Sequence, residues 1–265
     1  MRSGTRRRGV TSARSCSTFD AGRASGRLAG PDRRGATAIA SRLRHDVAMN
    51  PSSNPEGANA ATVLARAERL GFSYSGHAVL HDLSFELRPG LTLVRGGDGR
   101  GKTTLLRLLA GTLEPTTGTR ELMTGALPLP AGTVFHETLS DAALDGVAAR
   151  AWLQQCRARF PGWQDAPVQG LIDAFHLGDH LDKTFHMLST GSRRKVGLVA
   201  AAACSAPVTL LDTPFAALDA PSRHALRAVL QAAANDRARA WVVTDHEAPA
   251  DLGEVPWACV IDLGD

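Results

Sequence analysis

Apolar positions in this chain come in two kinds of run. Short ones, Leu91-Thr92-Leu93-Val94, Thr133-Val134-Phe135, Val208-Thr209-Leu210-Leu211, Trp241-Val242-Val243 and Trp257-Ala258-Cys259-Val260-Ile261, have strand length and end in polar residues. They predict strands buried on both faces. Longer runs predict helices: Leu105 to Ala110 closing near Gly111, Val196 to Cys204, and about Ala220 to Ala234. Strands spaced by helices predict a mostly parallel sheet.

Ahead of this core, Ala65 to Leu70 and Ser84 to Leu87 alternate as strands do. Phe72 and Tyr74 lie between them, and Arg88-Pro89-Gly90 turns into Leu91. Residues 112–137 carry Gly118, Gly125, Pro128, Pro130 and Gly132, which predict short strands and turns. Ser140 and Asp141 can cap a helix running to about Ala158, stopped by Phe160-Pro161-Gly162. A second helix is predicted over about Val168 to Phe175 and a short third around His180 to Phe185. They form an α-helical insert, about residues 138–187, between the two halves of the sheet.

The candidate chemistry lies at the ends of these runs. Gly96-Gly97-Asp98-Gly99-Arg100-Gly101-Lys102-Thr103-Thr104 fits the phosphate-loop pattern G-x-x-x-x-G-K-[ST], set between a predicted strand and a predicted helix. Its glycines let peptide N–H groups turn inward around a polyphosphate, and the helix N-terminus adds partial positive charge. Lys102 is placed to reach β- and γ-phosphates, and the Thr103 hydroxyl to bind Mg²⁺. Asp212 ends the strand Val208–Leu211, where a metal-holding carboxylate belongs. In Leu188-Ser189-Thr190-Gly191-Ser192, Ser189 or Ser192 can cap the next helix, and Gly191 permits close backbone approach. The trio Arg193-Arg194-Lys195 reads as a solvated helix face. Tyr74, the only tyrosine, either stacks on an adenine ring or packs at the domain edge. His176 and His180 have metal-ligand spacing, but Gly178 lies between them and no third ligand follows, so they read as solvated or core histidines.

Composition changes the picture in two places. The overall net charge of +4 is misleading: residues 1–48 hold 11 Arg and three Asp, while the remainder is net negative at −4. The folded part therefore shows no nucleic-acid footprint in its overall charge, and no nucleic-acid partner is expected. Residues 1–48 bury too little to order a chain, and 50–61 read as a linker. Three readings of the first segment stay open: an overlong gene model with Met49 as the start, a disordered basic tail, or a transit peptide. Cys16, Cys156, Cys204 and Cys259 form no C-x-x-C pair and no zinc spacing, so they read as small hydrophobes of a reduced protein. No apolar run reaches the length of about 18 residues that a transmembrane helix needs.

Taken together, these residues resemble the nucleotide-binding subunit of an ATP-binding cassette (ABC) transporter over about residues 63–265. Leu188 to Ser192 looks like the family signature Leu-Ser-Gly-Gly-Gln, about twenty residues before the strand ending at Asp212. Ala217-Leu218-Asp219 resembles the family's D-loop, and His246 falls where its switch histidine stands. Tyr74 matches the aromatic that stacks on adenine. The compact size and the run Pro214 to Asp219 are similar to small bacterial export-type cassettes such as haem-exporter ATP-binding subunits. The resemblance implies a P-loop NTPase fold: a mostly parallel sheet core, an antiparallel β subdomain and a small α-helical subdomain. It implies two copies facing head to tail, as a homodimer or heterodimer. ATP and Mg²⁺ would lie between the phosphate loop of one copy and Ser189, Gly191, Ser192 and Asp219 of the other. It also implies a separate membrane permease subunit, which would place the chain in the cytoplasm on the inner face of the cell membrane.

The sequence departs from that pattern where hydrolysis is decided. The family's water-activating Glu directly after the metal-holding Asp is here Thr213, a very poor base; general-base help is commonly worth about 10²–10⁴ in rate. Where the family has a Q-loop Gln, this chain has His136 and Glu137, with Glu137 a conceivable metal-shell substitute. Thr190 and Ser192 replace the signature's Gly and Gln. Three functions compete: a transporter ATPase subunit, a hydrolysis-impaired cassette serving as the degenerate half of a heterodimer or as a nucleotide-gated regulator, and a soluble non-transport cassette. The last type usually carries two cassettes or a long coiled-coil insert, which this chain lacks.

Overall fold

The computed structural model describes residues 62–124, 127–128, 133–138 and 141–264. The expectations for the N-terminal tail, the linker, Cys16, Gly125, Pro130, Gly132 and the Ser140 cap fall outside them. Two sheets carry the fold. Strands β1 (Ala65–Tyr74), β2 (His77–Leu87), β4 (Thr117–Thr124) and β5 (Leu127–Pro128) form an antiparallel sheet in the order β2-β1-β4-β5. Strands β3 (Gly90–Arg95), β6 (Val134–His136), β7 (Val208–Leu211), β8 (Ala240–Asp245) and β9 (Trp257–Asp262) form a wholly parallel one in the order β6-β7-β8-β3-β9.

The parallel strands read as apolar runs because both their faces are covered. Leu91, Leu93, Leu211, Trp241 and Val243 pack against α2 (Ala149–Arg159), α3 (Val168–Ala174), α4 (Thr190–Ala203) and α5 (Ala220–Ala233). Val94, Leu210, Ala240 and Val242, their alternates, pack on the other face with α1 (Lys102–Ala110) and with Leu70, Leu80, Phe85 and Leu87 of the antiparallel sheet. This alternation is the period-two geometry of a strand set between two cores. Cys156, Cys204 and Cys259 are buried; burial pushes the Cys156 thiol up to about 12 and raises Cys204 too, so both behave as small hydrophobes.

Three local expectations are corrected. Tyr74 does not lie between strands: it ends β1, opposite His77 in the hairpin. The helix expected from Asp141 to Ala158 is broken. Asp141 caps only a 3₁₀ turn, Ala142–Leu144, by accepting from Ala143 N at 2.9 Å, and α2 begins at Ala149. The helix expected around His180 to Phe185 is absent, with 3₁₀ turns at Gly178–His180 and Phe185–Met187 instead. One cause serves both. The backbone of 145–149 pairs with 183–186, through Ala149 N to Lys183 O (3.0 Å), Phe185 N to Val147 O (2.9 Å) and His186 N to Asp145 O (3.1 Å). Groups committed to that pairing are lost to a helical ladder. His176, at φ 53, lies on a turn and shares no helix face with His180. Among the described residues no group of three or more ligand-type side chains could hold a metal ion. Nor is any helix of those residues long and apolar enough to cross a membrane.

Candidate functional site

A parallel sheet collects the carboxyl ends of its strands on one edge, and here that edge carries the candidate residues. From β3 the chain runs through Gly96 to Arg100 into α1. Gly101 precedes α1 at φ 94, and a Cβ there would come within 2.7 Å of Leu80 and 2.8 Å of Val79. Only glycine serves at that position, for conformation and for space. No side chain caps α1, so its first N–H groups face the loop. Lys102 Nζ donates to the carbonyl oxygens of Gly96 (2.5 Å) and Gly97 (2.9 Å). Asp98, Gly99 and Arg100 are exposed, while Thr104 is buried.

Asp212 follows β7 directly and is the meeting point of the edge. Thr103 Oγ1 donates to its Oδ2 at 2.6 Å, and Thr244 Oγ1, from β8, donates to its Oδ1 at 2.5 Å. The Thr244 hydroxyl also accepts from Thr213 N at 2.9 Å, fixing the turn after β7. Thr213 itself stands at φ 42, a left-handed backbone that a β-branched residue adopts at a cost. His246 is exposed at the tip of β8, and its carbonyl accepts from Gly96 N at 3.3 Å, which ties that tip to the phosphate loop. Tyr74 is 42% exposed and edge-on to Phe72 at 4.7 Å, on the hairpin whose other strand packs against Gly101.

The signature residues form a second group. Ser189 caps α4, accepting from Ser192 N at 3.1 Å, and its hydroxyl meets that of Ser192 at 3.0 Å. A Cβ on Gly191 would stand 2.4 Å from Ala217 O, so the close approach at this glycine is to the chain's own loop. Asp219 caps α5 by accepting from Ser222 N at 2.9 Å, and it pairs with Lys195 at 2.5 Å. The Lys195 ammonium, ahead of the cap itself, holds the Asp219 carboxyl well below the usual carboxylate range. Loop 213–219 links this group to the first.

The basic trio is not a solvated face. The side chains of Arg193, Arg194 and Lys195 are 22%, 19% and 11% exposed. Arg193 pairs with Asp145 at 3.3 Å. Arg194 NH1 donates to Thr213 O (2.9 Å) and Ala216 O (2.7 Å), so α4 grips the loop that follows the metal-type carboxylate. Its Nε, 3.9 Å from Glu137 Oε1, makes no hydrogen bond. Glu137 lies just past β6, its N–H on Leu210 O of β7 at 3.3 Å, with a side chain only 7% exposed. Burial pushes its carboxyl up to about 7; Arg194 opposes the rise and Asp212 adds to it. Burial likewise lowers the neighbouring His136, whose Nδ1 is unpartnered.

Thr244 and Arg194 were not singled out from sequence. For Thr244 a signal existed: one polar residue in an apolar strand, one step before its tip. Arg194 had none, because its partners lie 19 and 22 positions away.

The donor set suits a Mg²⁺–nucleotide complex. Thr103 and Asp212 offer hard oxygens at one point, and the uncapped helix and Lys102 supply positive charge beside them. Comparison with known proteins supports the nucleotide part of that set. The family model described as ABC transporter matches residues 80–216. The chain is 32% identical over 196 residues to the cytochrome c biogenesis ATP-binding export protein CcmA of Paracoccus denitrificans, covering 74% of this chain and 86% of that one. To the taurine import ATP-binding protein TauB of Pseudomonas aeruginosa it is also 32% identical, over 63% of this chain and 65% of that one. Among solved structures, an ATP-binding subunit of an ABC transporter superposes with a TM-score of 0.57 at 22% identity, over 69% of this chain and 79% of the other. The ADP form of an ABC transporter cassette gives 0.54 at 15%, over 76% and 89%. Loop, carboxylate, sheet order and family match agree: the chain belongs to the ABC transporter family, as an ATP-binding subunit.

Proposed function

We propose that residues 62–265 form one cassette that binds ATP with Mg²⁺ and uses binding and hydrolysis to drive a separate membrane permease from the inner face of the cell membrane. The 2.6 Å contact of Thr103 with Asp212 carries this reading, because it joins the first turn of α1 to the end of β7 at the mouth of the phosphate loop. Thr103 Oγ1 and an Asp212 oxygen would hold the cation. A bound Mg²⁺ neutralises charge on the β- and γ-phosphates. Lys102, exchanging its two carbonyl partners for phosphate oxygens, gains charge-assisted bonds. The N–H groups of α1 bind the same anion, and Tyr74 offers an exposed ring for a base to stack on. His246 stands beside the loop for the γ-phosphate.

A head-to-tail dimer follows from the second group. Ser189, Gly191, Ser192 and Asp219 form a rigid surface that in this reading faces the nucleotide of the partner copy. Removal of the γ-phosphate then opens the pair, and the segment at 138–187 passes the motion to the permease. The similarity to CcmA and TauB, one named an export and one an import protein, supports the transport reading. Thr213 favours a second reading, a cassette that binds ATP and hydrolyses it poorly, in a heterodimer or as a regulator. Titration of the purified chain with ATP and Mg²⁺ tests the first: tight, Mg²⁺-dependent binding lost in Lys102→Ala is expected, and equal binding by Lys102→Ala overturns it. A turnover above roughly 0.1 s⁻¹, low for an enzyme, removes the second.

A further inference from the structure

The missing carboxylate has a counterpart one strand away. Thr213 cannot take a proton from water near neutral pH, and both oxygens of Asp212 are engaged by hydroxyls. Glu137 ends the neighbouring strand, bonded through its backbone to Leu210 O, so it lies across from the last residues of β7. Its side chain is more than nine-tenths buried, and Oε2 has no hydrogen-bond partner among the described residues. Among the described residues the cation facing it is Arg194 at 3.9 Å, which makes no hydrogen bond to it and spends NH1 on the two carbonyls of loop 213–219. A buried carboxylate oxygen left without a partner is costly, so its retention beside the site calls for a ligand.

We propose that Glu137 is the residue that activates the attacking water in this chain, in place of a carboxylate at position 213. This rests on the nucleotide-binding reading above. Water oxygen bonds to the γ-phosphorus as the bond from that phosphorus to the β–γ bridging oxygen breaks. ADP departs with that electron pair, and the proton of the water passes to the Glu137 carboxylate. The step requires the carboxylate to turn from Arg194 toward the loaded site. Arg194 is then a positioning residue: it holds the carboxylate weakly while fixing the turn at Thr213. The assignment differs from a metal-shell role, which a glutamine would fill equally well.

The test compares the parent, Glu137→Gln and the double variant Glu137→Gln/Thr213→Glu. Each is read by phosphate release, by Mg²⁺·ATP affinity in calorimetry and by light scattering. Glu137→Gln is expected to slow phosphate release about 100-fold while affinity stays within about threefold. It should also accumulate an ATP-bound dimer. Thr213→Glu on that background should recover most of the lost rate. Turnover of Glu137→Gln within about threefold of the parent overturns the proposal. So does a rate loss matched by an equal loss of Mg²⁺·ATP affinity, which makes Glu137 a metal holder, or a double variant as slow as Glu137→Gln. A parent that binds ATP tightly without turnover also overturns it, and leaves nucleotide binding standing. Failure of binding itself is read separately, in Lys102→Ala.

Discussion

The phosphate loop and the signature end of α4 are both helix N-termini, and they are built in opposite ways. At α1 no side chain caps the helix, and the lysine is bonded to carbonyls of its own loop. At α4 a serine caps the helix, a glycine lies against Ala217 O, and Arg194 and Lys195 are tied to the loop that ends in Asp219. The first end keeps its donors for a ligand. The second is already satisfied within the chain, which is why we propose it as a stiff surface for a partner copy. An anion site needs unspent N–H groups; a docking surface needs fixed shape.

The two ends part most clearly in Lys102→Ala. It should lower Mg²⁺·ATP affinity by about 100-fold, read by calorimetry, with the melting temperature unchanged, because its partners are two loop carbonyls. Gly191→Ala should do the reverse. Its Cβ meets backbone at 2.4 Å and cannot be accommodated by a side-chain rotation, so a stability loss of about 2–3 kcal/mol by urea unfolding is expected. Nucleotide affinity of the single chain should hold.

Glu137 gives a pH test between the two ends. Its folded pKa, about 7, lies above the ordinary carboxylate value of 4.5, so the folded state binds the extra proton between those values. Its contribution is therefore complete below about pH 4.5 and is lost as pH rises to about 7. Relative to Glu137→Gln, the unliganded parent should lose on the order of 2 kcal/mol across that window. Asp219 has the opposite sign: its stabilisation is present above the usual carboxylate range and fades as pH falls through the lowered value. Asp219→Ala should cost about 1 kcal/mol at pH 7, the usual loss of an N-cap. At the small end, Arg150→Ala breaks only an exposed pair with Asp182 and should leave the melting temperature unmoved.

Legibility in the sequence followed the range of the forces involved. Strand cores, the α1 loop, the Asp212 strand end and the Ser189 cap are local patterns, and each lies close to where the apolar and polar runs put it. The parallel and antiparallel sheets agree with the fold class expected. Residues 141–148 and 178–187 were misread because pairing of 145–149 with 183–186 overrides helix propensity in both segments, while the helix at Val168–Ala174 lies where the sequence put it. The contacts that make the signature end rigid were invisible for the same reason. Glu137 and Arg194 are 57 positions apart, and Gly191 meets Ala217 across 26. The charged trio looked solvated because nothing in a one-dimensional pattern shows carbonyls arriving from a distant loop.

Thr213, directly after Asp212, carries a cost of its own. A β-branched side chain on a left-handed backbone is a standing penalty of about 1–3 kcal/mol, borne by every copy of the molecule whether or not nucleotide is near. Glycine or asparagine at 213 would relieve it. Heat resistance gained by such a swap therefore weighs, in degrees, what the chain gives up to keep a hydroxyl-bearing residue at that corner.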